Sequence, residues 1–371
     1  MKRPLVVFSA VGLNQGGTLS VAHDVLSAAD KRDDVRCIAF VNKRSLYPRY
    51  RRVKLLEVQW PKRSWFLRLF FEFVASYRLS LRLNAEAWFA LHDISPRVKT
   101  PRQYVYCHNP TPFYKAGWRD LVFQPTVFVF ALFYRYLYRL NITANAAVFV
   151  QQSHIRDYFL VRYSAKRVVV ARPASTGGAV AAYTRQHAQE GDGDNTVRLL
   201  YPTLPRSFKN IEHLIKAAAA LEGLGVRGFE IRITVSEKDS LYARYLIWSA
   251  RRIESIRFLG RLTREQVESE YAACDALVFP SKLETWGLPL TEAKFHGLPI
   301  LAADLPYAKE TLGQYARVSF FDPGDAQQLA DRIRELISGT LRFEGSNFVM
   351  PDNTPVVNGW DDLIRYVVDG K

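Results

Sequence analysis

Two glutamates, Glu284 and Glu292, stand eight positions apart in "ETWGLPLTE", directly after the apolar run "DALVFPS". Between them Gly287 permits a tight turn because it has no Cβ, and Pro289 suits a first helical position, where its missing N–H would have had no partner. The amides of Leu288, Leu290 and Thr291 are then expected to point, unbonded, out of a helix start, with Thr285, Trp286 and Gly287 lining the approach. That is an anion site. A helix terminus contributes only about 0.3 to 1 kcal/mol toward an anion, too little to hold a diphosphate in water, so fixed cations are required. "YPTLPRSFKN" offers them: Arg206 and Lys209 follow the apolar run "VRLLYP". Arginine can fork across two phosphate oxygens while lysine acts as a point charge.

Carboxylates repel phosphates, so Glu284 and Glu292 must serve neutral hydroxyls. An ionised carboxylate only accepts hydrogen bonds and has two oxygens with which to hold a vicinal diol. Glu292, about one turn into the predicted helix, suits a ribose; Glu284, in the loop before it, suits a sugar ring. A ligand with diol, diphosphate and second diol in series is a nucleotide diphosphate sugar.

Three further groups carry chemistry. His108 follows the apolar run "YVYC" and precedes "NPTP", and is expected to face the meeting place of two domains. Gly16 and Gly17 end "GLNQGG" after the first apolar run and would let backbone approach a diphosphate. Asp192 and Asp194 form a D-x-D pair, but in the polar stretch "EGDGDN" rather than at a strand end, so no metal is expected to bind. With Arg206, Lys209 and the helix start available to neutralise a leaving diphosphate, no metal or other cofactor is required.

Short apolar runs, each followed by a polar loop and a helix-like segment, recur along the chain. "PLVVFSAV", "VRCIAFVN", "YVYCHN" and "AAVFVQQS" in the first half, and "VRLLYP", "FEIRITVS", "IRFLG", "ALVFPS", "PILAAD" and "VSFFD" in the second, predict buried parallel strands. The fold class is α/β with two doubly wound halves, a domain over 1–172 and another over 196–350, joined through the Gly- and Asp-rich stretch between them. At 371 residues two cores are the default. Open parallel sheets bind ligands beyond the carboxyl ends of their strands, where Arg206, Lys209 and Glu284 are expected.

Charge is uneven. Residues 1–170 hold 27 Lys and Arg against 10 Asp and Glu, or +17, which leaves 24 against 26, or −2, for the rest. The partner of the first half is anionic: nucleic acid, a membrane surface or a phosphorylated substrate. Residues 64–82 predict an amphipathic helix with Arg68, Glu72, Arg78 and Arg82 on one side. Phe66, Leu69, Phe70, Phe73, Tyr77 and Leu81 fall on the other. Such a helix either packs on the core with its arginines solvated or docks in a membrane interface. No apolar stretch is long enough to span a bilayer, no cleavable leader is read, and three dispersed cysteines fit a reducing cytoplasm.

The run "PSKLETWGLPLTEAKFHGLPILAAD" (280–304) resembles the signature of the retaining GT-B glycosyltransferases of glycosyltransferase family 4. A bare pair of glutamates at this spacing is common; the Gly, the Pro and the second Gly-x-Pro in register make the resemblance specific. "QGG", "YCHNPTPFY", "VFVQQSHIRDYF" and "YPTLPRSFKN" look like further family segments, with Arg206 nearer to Lys209 than in many members. The pieces together are most like bacterial enzymes of lipopolysaccharide O-antigen and surface-polysaccharide synthesis.

The resemblance implies two Rossmann-like domains facing a cleft, with a carboxyl-terminal helix in 352–371 packed back on the first domain. It implies transfer of a hexosyl group with retention, from a GDP- or UDP-sugar, GDP-mannose type favoured, to a lipid-linked glycan. The site would comprise His108 near the transferred sugar, Glu284, Lys209 and Arg206, with the enzyme peripheral on the cytoplasmic membrane. A nucleotide-sugar epimerase of the same fold and an inactive sugar-nucleotide sensor are the alternatives, and a nucleic-acid-binding protein is a third, for which no recognisable motif speaks.

Overall fold

A computed structural model describes residues 3–14, 16–114, 116–173 and 196–370. Gln15 of the glycine loop, most of the expected linker, and Asp192 and Asp194 lie outside the described residues. The chain divides into two compact units, Met1–Pro112 with Phe133–Ala174 and Met350–Lys371, and Phe113–Leu132 with Ser175–Val349.

In the first unit the apolar runs form β1 (Leu5–Ala10), β2 (Arg36–Val41), β3 (Val53–Glu57), β4 (Ala87–Ala90), β5 (Arg102–Tyr106), β6 (Ala147–Val150) and β7 (Val168–Arg172). In the second they form β8 (Val197–Tyr201), β9 (Phe229–Ile233), β10 (Ile256–Phe258), β11 (Ala276–Phe279), β12 (Ile300–Ala303) and β13 (Val318–Phe321). β14 (Val356–Asn358) returns to the first unit and pairs with β7. All pairings are parallel. β1, β4, β6, β11, β12 and β13 are buried at every position, as strands covered by helices on both faces must be.

Strand order fixes where chemistry can sit. The first sheet runs β14-β7-β6-β5-β4-β1-β2-β3 and the second β10-β9-β8-β11-β12-β13. In each, the chain works outward on one side, then restarts beside its first strand and works outward on the other. The reversals fall between β1 and β4 and between β8 and β11. Successive crossovers there leave to opposite sides, so a crevice opens at the carboxyl ends of the two strands.

The helix Trp360–Asp369 packs on the helix Gly16–Asp30, burying Leu363, Ile364 and Val367. Exposed pairs Lys31–Asp361 and Arg32–Asp369 flank that contact. Among the described residues no helix is long and apolar enough to cross a membrane.

Two expectations need correction. Residues 113–132, inside the expected first domain, pack with the second unit: Phe123 stacks on Tyr245 with ring centroids 5.0 Å apart. The apolar residues there, which the sequence marks only as too short to span a bilayer, form the helix Pro125–Arg139, and apolarity does not name the surface it packs on. The helical segment 65–83 also differs from its wheel. Arg68 and Glu72 turn inward and are buried with Ser76 and Ser80, while Arg78 and Arg82 stay exposed. Phe66 is 85% exposed, with Trp65, Phe70 and Leu81 also outside. A wheel ranks residues by polarity alone, whereas here Arg68 and Glu72 pair at 2.8 Å and so enter together. A π turn at Phe71–Ala75 adds to the register shift.

Leu363 is fully buried. Leu363→Ala is expected to lower the unfolding free energy by about 2–5 kcal/mol, measured by urea titration.

Candidate functional site

The loops after β8 and β11 meet across the reversal of the second sheet. From Tyr201 the chain runs through Pro205 and Arg206 into a 3₁₀ turn at Ser207–Lys209, then through Asn210 into the helix Ile211–Gly223. Asn210 has φ 61°, and its side-chain amide donates to Pro280 O at 3.1 Å and Pro323 O at 2.8 Å. Lys282 N donates to Phe208 O at 2.7 Å. The two loops are thus tied by backbone as well as side chain, and Lys209 Nζ pairs with Glu284 Oε1.

An ammonium has three donors, so pairing with Glu284 leaves Lys209 two for another anion. Beneath the pair, Tyr201 donates to Lys209 O at 2.7 Å and Tyr307 to Ser281 O at 2.6 Å. Burial first, then the Glu284 charge, pushes both phenols well above their ordinary pKa, so they remain protonated donors. Arg206 is exposed, and its side chain bonds to none of the described residues.

Gly287 has φ 84° and starts the helix Leu288–Phe295. A Cβ there would lie 3.3 Å from Leu290 Cδ1 and 3.5 Å from Phe279, so the left-handed backbone and the close approach both favour glycine. The expected row of open amides is shorter than the sequence suggested. Leu290 N donates to Gly287 O at 2.9 Å, because the turn that admits Pro289 closes on itself, and the Leu288 amide keeps no acceptor among the described residues. Trp286 is buried and donates to Thr291 Oγ1 at 3.0 Å, while Thr285 stays half-buried.

Glu292 does not join Lys209 and Glu284. Its carboxylate accepts from Tyr271 OH at 2.8 Å and from Arg264 at 2.5 Å, with Arg264 itself largely exposed. Burial and then Glu292 raise the Tyr271 pKa well above its ordinary value. Arg264 and Tyr271 were missed by sequence reasoning. The strand-end rule finds them late, since both lie on the helix that follows β10 and "LGRLT".

Residues 113–132 brace the cationic loop. Asp120 accepts from Ser207 Oγ, and from Tyr114 OH at 3.0 Å. Gln124 donates to Pro205 O at 2.9 Å, and Tyr114 packs edge-on to Phe208.

In the first unit His108 follows β5. It is buried, its Nε2 lies 3.0 Å from Leu91 O, and its ring sits 4.5 Å from that of Tyr106. Burial lowers its pKa, with Asp93 opposing, so the ring is neutral and Nε2 donates. Asp93, at φ 74°, organises this end of the sheet by accepting from the amides of His108 and Asn109 and from the hydroxyls of Tyr134 and Tyr138. "WFALHD", an apolar run followed by His and Asp, is the strand-end signal that locates it. Gly16, at φ 66°, opens the helix Gly16–Asp30 and Gly17 lies exposed in its first turn. Among the described residues no cluster of three or more His, Cys, Asp or Glu could hold a metal.

Residues 184–344 match the family described as Glycosyl transferases group 1. A sulfoquinovosyl transferase of Arabidopsis thaliana is 34% identical over 83 residues, and O-antigen chain mannosyltransferase B of Escherichia coli 33% over 78. These matches cover 22% and 21% of this chain, and the chain spans only 16% and 20% of the two relatives. The O-antigen chain mannosyltransferase RfbU of Salmonella typhimurium is 22% identical over 75% of this chain and 74% of its own.

Among solved structures, sucrose-phosphate synthase of Thermosynechococcus elongatus superposes with TM-score 0.66 at 16% identity, over 91% of this chain and 90% of that one. WaaG, a glycosyltransferase involved in lipopolysaccharide biosynthesis, gives 0.64 at 14% over 90% of each. Anabaena HepE in complex with UDP-glucose gives 0.59 at 15% over 91% and 90%. The two parallel α/β units are those of the GT-B fold, and the match to the glycosyl transferases group 1 family lies in the second.

Asn210→Gly keeps the left-handed backbone and removes both side-chain bonds to buried carbonyls. It is expected to destabilise the chain by about 1–3 kcal/mol, read by urea unfolding.

Proposed function

We propose that this chain is a glycosyltransferase that moves a hexosyl group from a nucleotide diphosphate sugar to a glycan acceptor. The observation that carries the reading is the contact of Lys209 with Glu284 at the reversal between β8 and β11, in a glycosyl transferases group 1 domain. Breaking the sugar C1–O bond leaves charge on the diphosphate. Lys209 and the exposed Arg206 stand where cations can meet it, joined by the Leu288 amide. Glu284, held by Lys209, is assigned to accept from sugar hydroxyls. Glu292, oriented by Tyr271, takes the ribose, with Arg264 moving aside.

His108, neutral with Nδ1 unprotonated, is assigned to the transferred sugar. Gly16 and Gly17 are assigned to backbone contact with the diphosphate. Charge neutralisation is given to these side chains, and no metal or other cofactor is assigned to the reaction.

The donor class is a GDP- or UDP-sugar, with GDP-mannose favoured by the O-antigen mannosyltransferase relatives. UDP-glucose bound to the HepE neighbour keeps UDP-sugars open. Retention of anomeric configuration is carried by the family resemblance. The acceptor is proposed to be a lipid-linked oligosaccharide of surface-polysaccharide synthesis, reached from the cytoplasmic side of the membrane. The +17 of residues 1–170 and the outward Trp65, Phe66 and Phe70 support peripheral attachment to an anionic surface.

Transfer is tested by incubating GDP-mannose and UDP-glucose with glycolipid acceptors and with no acceptor. Product only with acceptor supports the reading; turnover of the donor alone to an epimerised sugar would replace it. Lys209→Ala is expected to lower kcat by about 10²–10³-fold. Glu292→Ala should weaken donor binding about tenfold or more by calorimetry. His108→Ala should keep donor affinity and lose turnover; unchanged kcat contradicts its assignment. A Phe66→Ser, Phe70→Ser double variant should keep its melting temperature yet sediment less with phosphatidylglycerol vesicles; equal sedimentation contradicts membrane attachment.

A further inference from the structure

The reversal of the first sheet, between β1 and β4, holds a buried cation that the reading above leaves unused. Arg68 is 9% exposed, and its Nε lies 2.8 Å from Glu72 Oε1, a carboxylate with no exposure at all. His92, two residues beyond β4, lies 3.5 Å from the same oxygen and shares a 2.8 Å hydrogen bond with Ser9 Oγ of β1. Burial, then Arg68, depress the His92 pKa well below its ordinary value, so this ring adds no second cation.

The far end of the guanidinium rests on Gly12, in the loop after β1. A Cβ on Gly12 would stand 2.6 Å from Nη1 and 2.9 Å from Nη2, closer than atoms can pack. Glycine at position 12 therefore makes the space that the terminal nitrogens occupy. Those nitrogens have no hydrogen-bond acceptor among the described residues. Lys62 is also near: burial, then Arg68 and Lys43, disfavour its charge.

A guanidinium that served only to neutralise Glu72 would gain most from a bidentate approach through its fork. Here Glu72 takes the inner nitrogen and the fork edge is left facing the loop. The terminal nitrogens are not among the fully buried unpaired atoms, so the fork edge stays reachable, and ligands of open parallel sheets bind at such reversals. The π turn at Phe71–Ala75, directly after Arg68, is a local irregularity of the kind frequent at functional sites.

We propose that Arg68 is an anion-binding residue of the first unit: anchored by Glu72 and given room by Gly12, its terminal nitrogens fork onto a phosphate of a substrate. The choice of a phosphate ester rests on the transferase reading. The phosphate belongs either to the nucleotide donor or to a lipid diphosphate acceptor, and the two share the chemistry that the fork recognises.

The test is calorimetry on the full chain with inorganic pyrophosphate, UDP, GDP and geranyl diphosphate, comparing the parent with Arg68→Lys and Gly12→Ala. Lysine keeps the charge beside Glu72 and loses the fork. Alanine at position 12 meets only the movable end of one side chain, so it carries the test if Arg68→Lys does not fold. Thermal unfolding checks both variants. At least one probe is expected to bind about tenfold or more weakly to each folded variant. Loss confined to UDP and GDP assigns the phosphate to the donor; loss confined to geranyl diphosphate assigns it to the acceptor. Parent-like affinity of the folded variants for every probe overturns the proposal, as does a parent that binds none. Failure of the transferase reading is distinct: sugar transfer would be absent while Arg68-dependent pyrophosphate binding persisted.

Discussion

β8 and β11 are hydrogen-bonded neighbours, yet the chain leaves them toward opposite sides of the sheet. No helix can then cover both carboxyl ends, and the loops that follow must reach across the gap to each other. The structure closes it with Asn210 on Pro280 and Pro323, with Lys282 on Phe208, and with the Lys209–Glu284 pair. The positions of Lys209 and Glu284 hang on that junction. The cation and the acid are fixed by loops whose backbones are bonded to one another.

The first unit repeats the topology with different side chains. Its reversal holds a buried Arg68–Glu72 pair, a neutral His92 and the Gly12 loop, with Asp93 and His108 on the adjoining strand ends. Both reversals pair a cation with an acid. In the second unit the pair is partly open; in the first the acid is sealed and only the outer edge of the cation is left to bind. Residues 113–132 belong to the second unit. They follow the His108 segment in the chain and brace the Arg206–Lys209 loop through Asp120 and Gln124.

Much of the fold was legible because buried parallel strands are written as continuous apolar runs, and strand ends announce themselves by the Gly, Pro and polar residues that follow. Lys209, Glu284 and Gly287 were found by that rule, and their meeting follows from strand order. Glu292 was placed correctly on its helix but without Arg264 and Tyr271, because an acid's partners come from a different strand's helix and leave no local trace. The open amide of Leu290 was a misreading of the same kind: a turn tight enough for Gly287 and Pro289 bonds its own backbone first. Arg68 and Glu72 were read as solvated because polarity predicts exposure. An ion pair that enters the core together escapes that rule. The packing of 113–132 on the second unit was invisible, since an apolar helix face does not name its counterpart.

The most direct test of this account is a crystal structure of the chain with UDP or GDP bound. The account predicts a diphosphate within hydrogen-bond distance of Lys209 Nζ at the carboxyl ends of β8 and β11, with ribose hydroxyls on Glu292. A nucleotide bound elsewhere, or one that touches neither Lys209 nor Glu292, would contradict it.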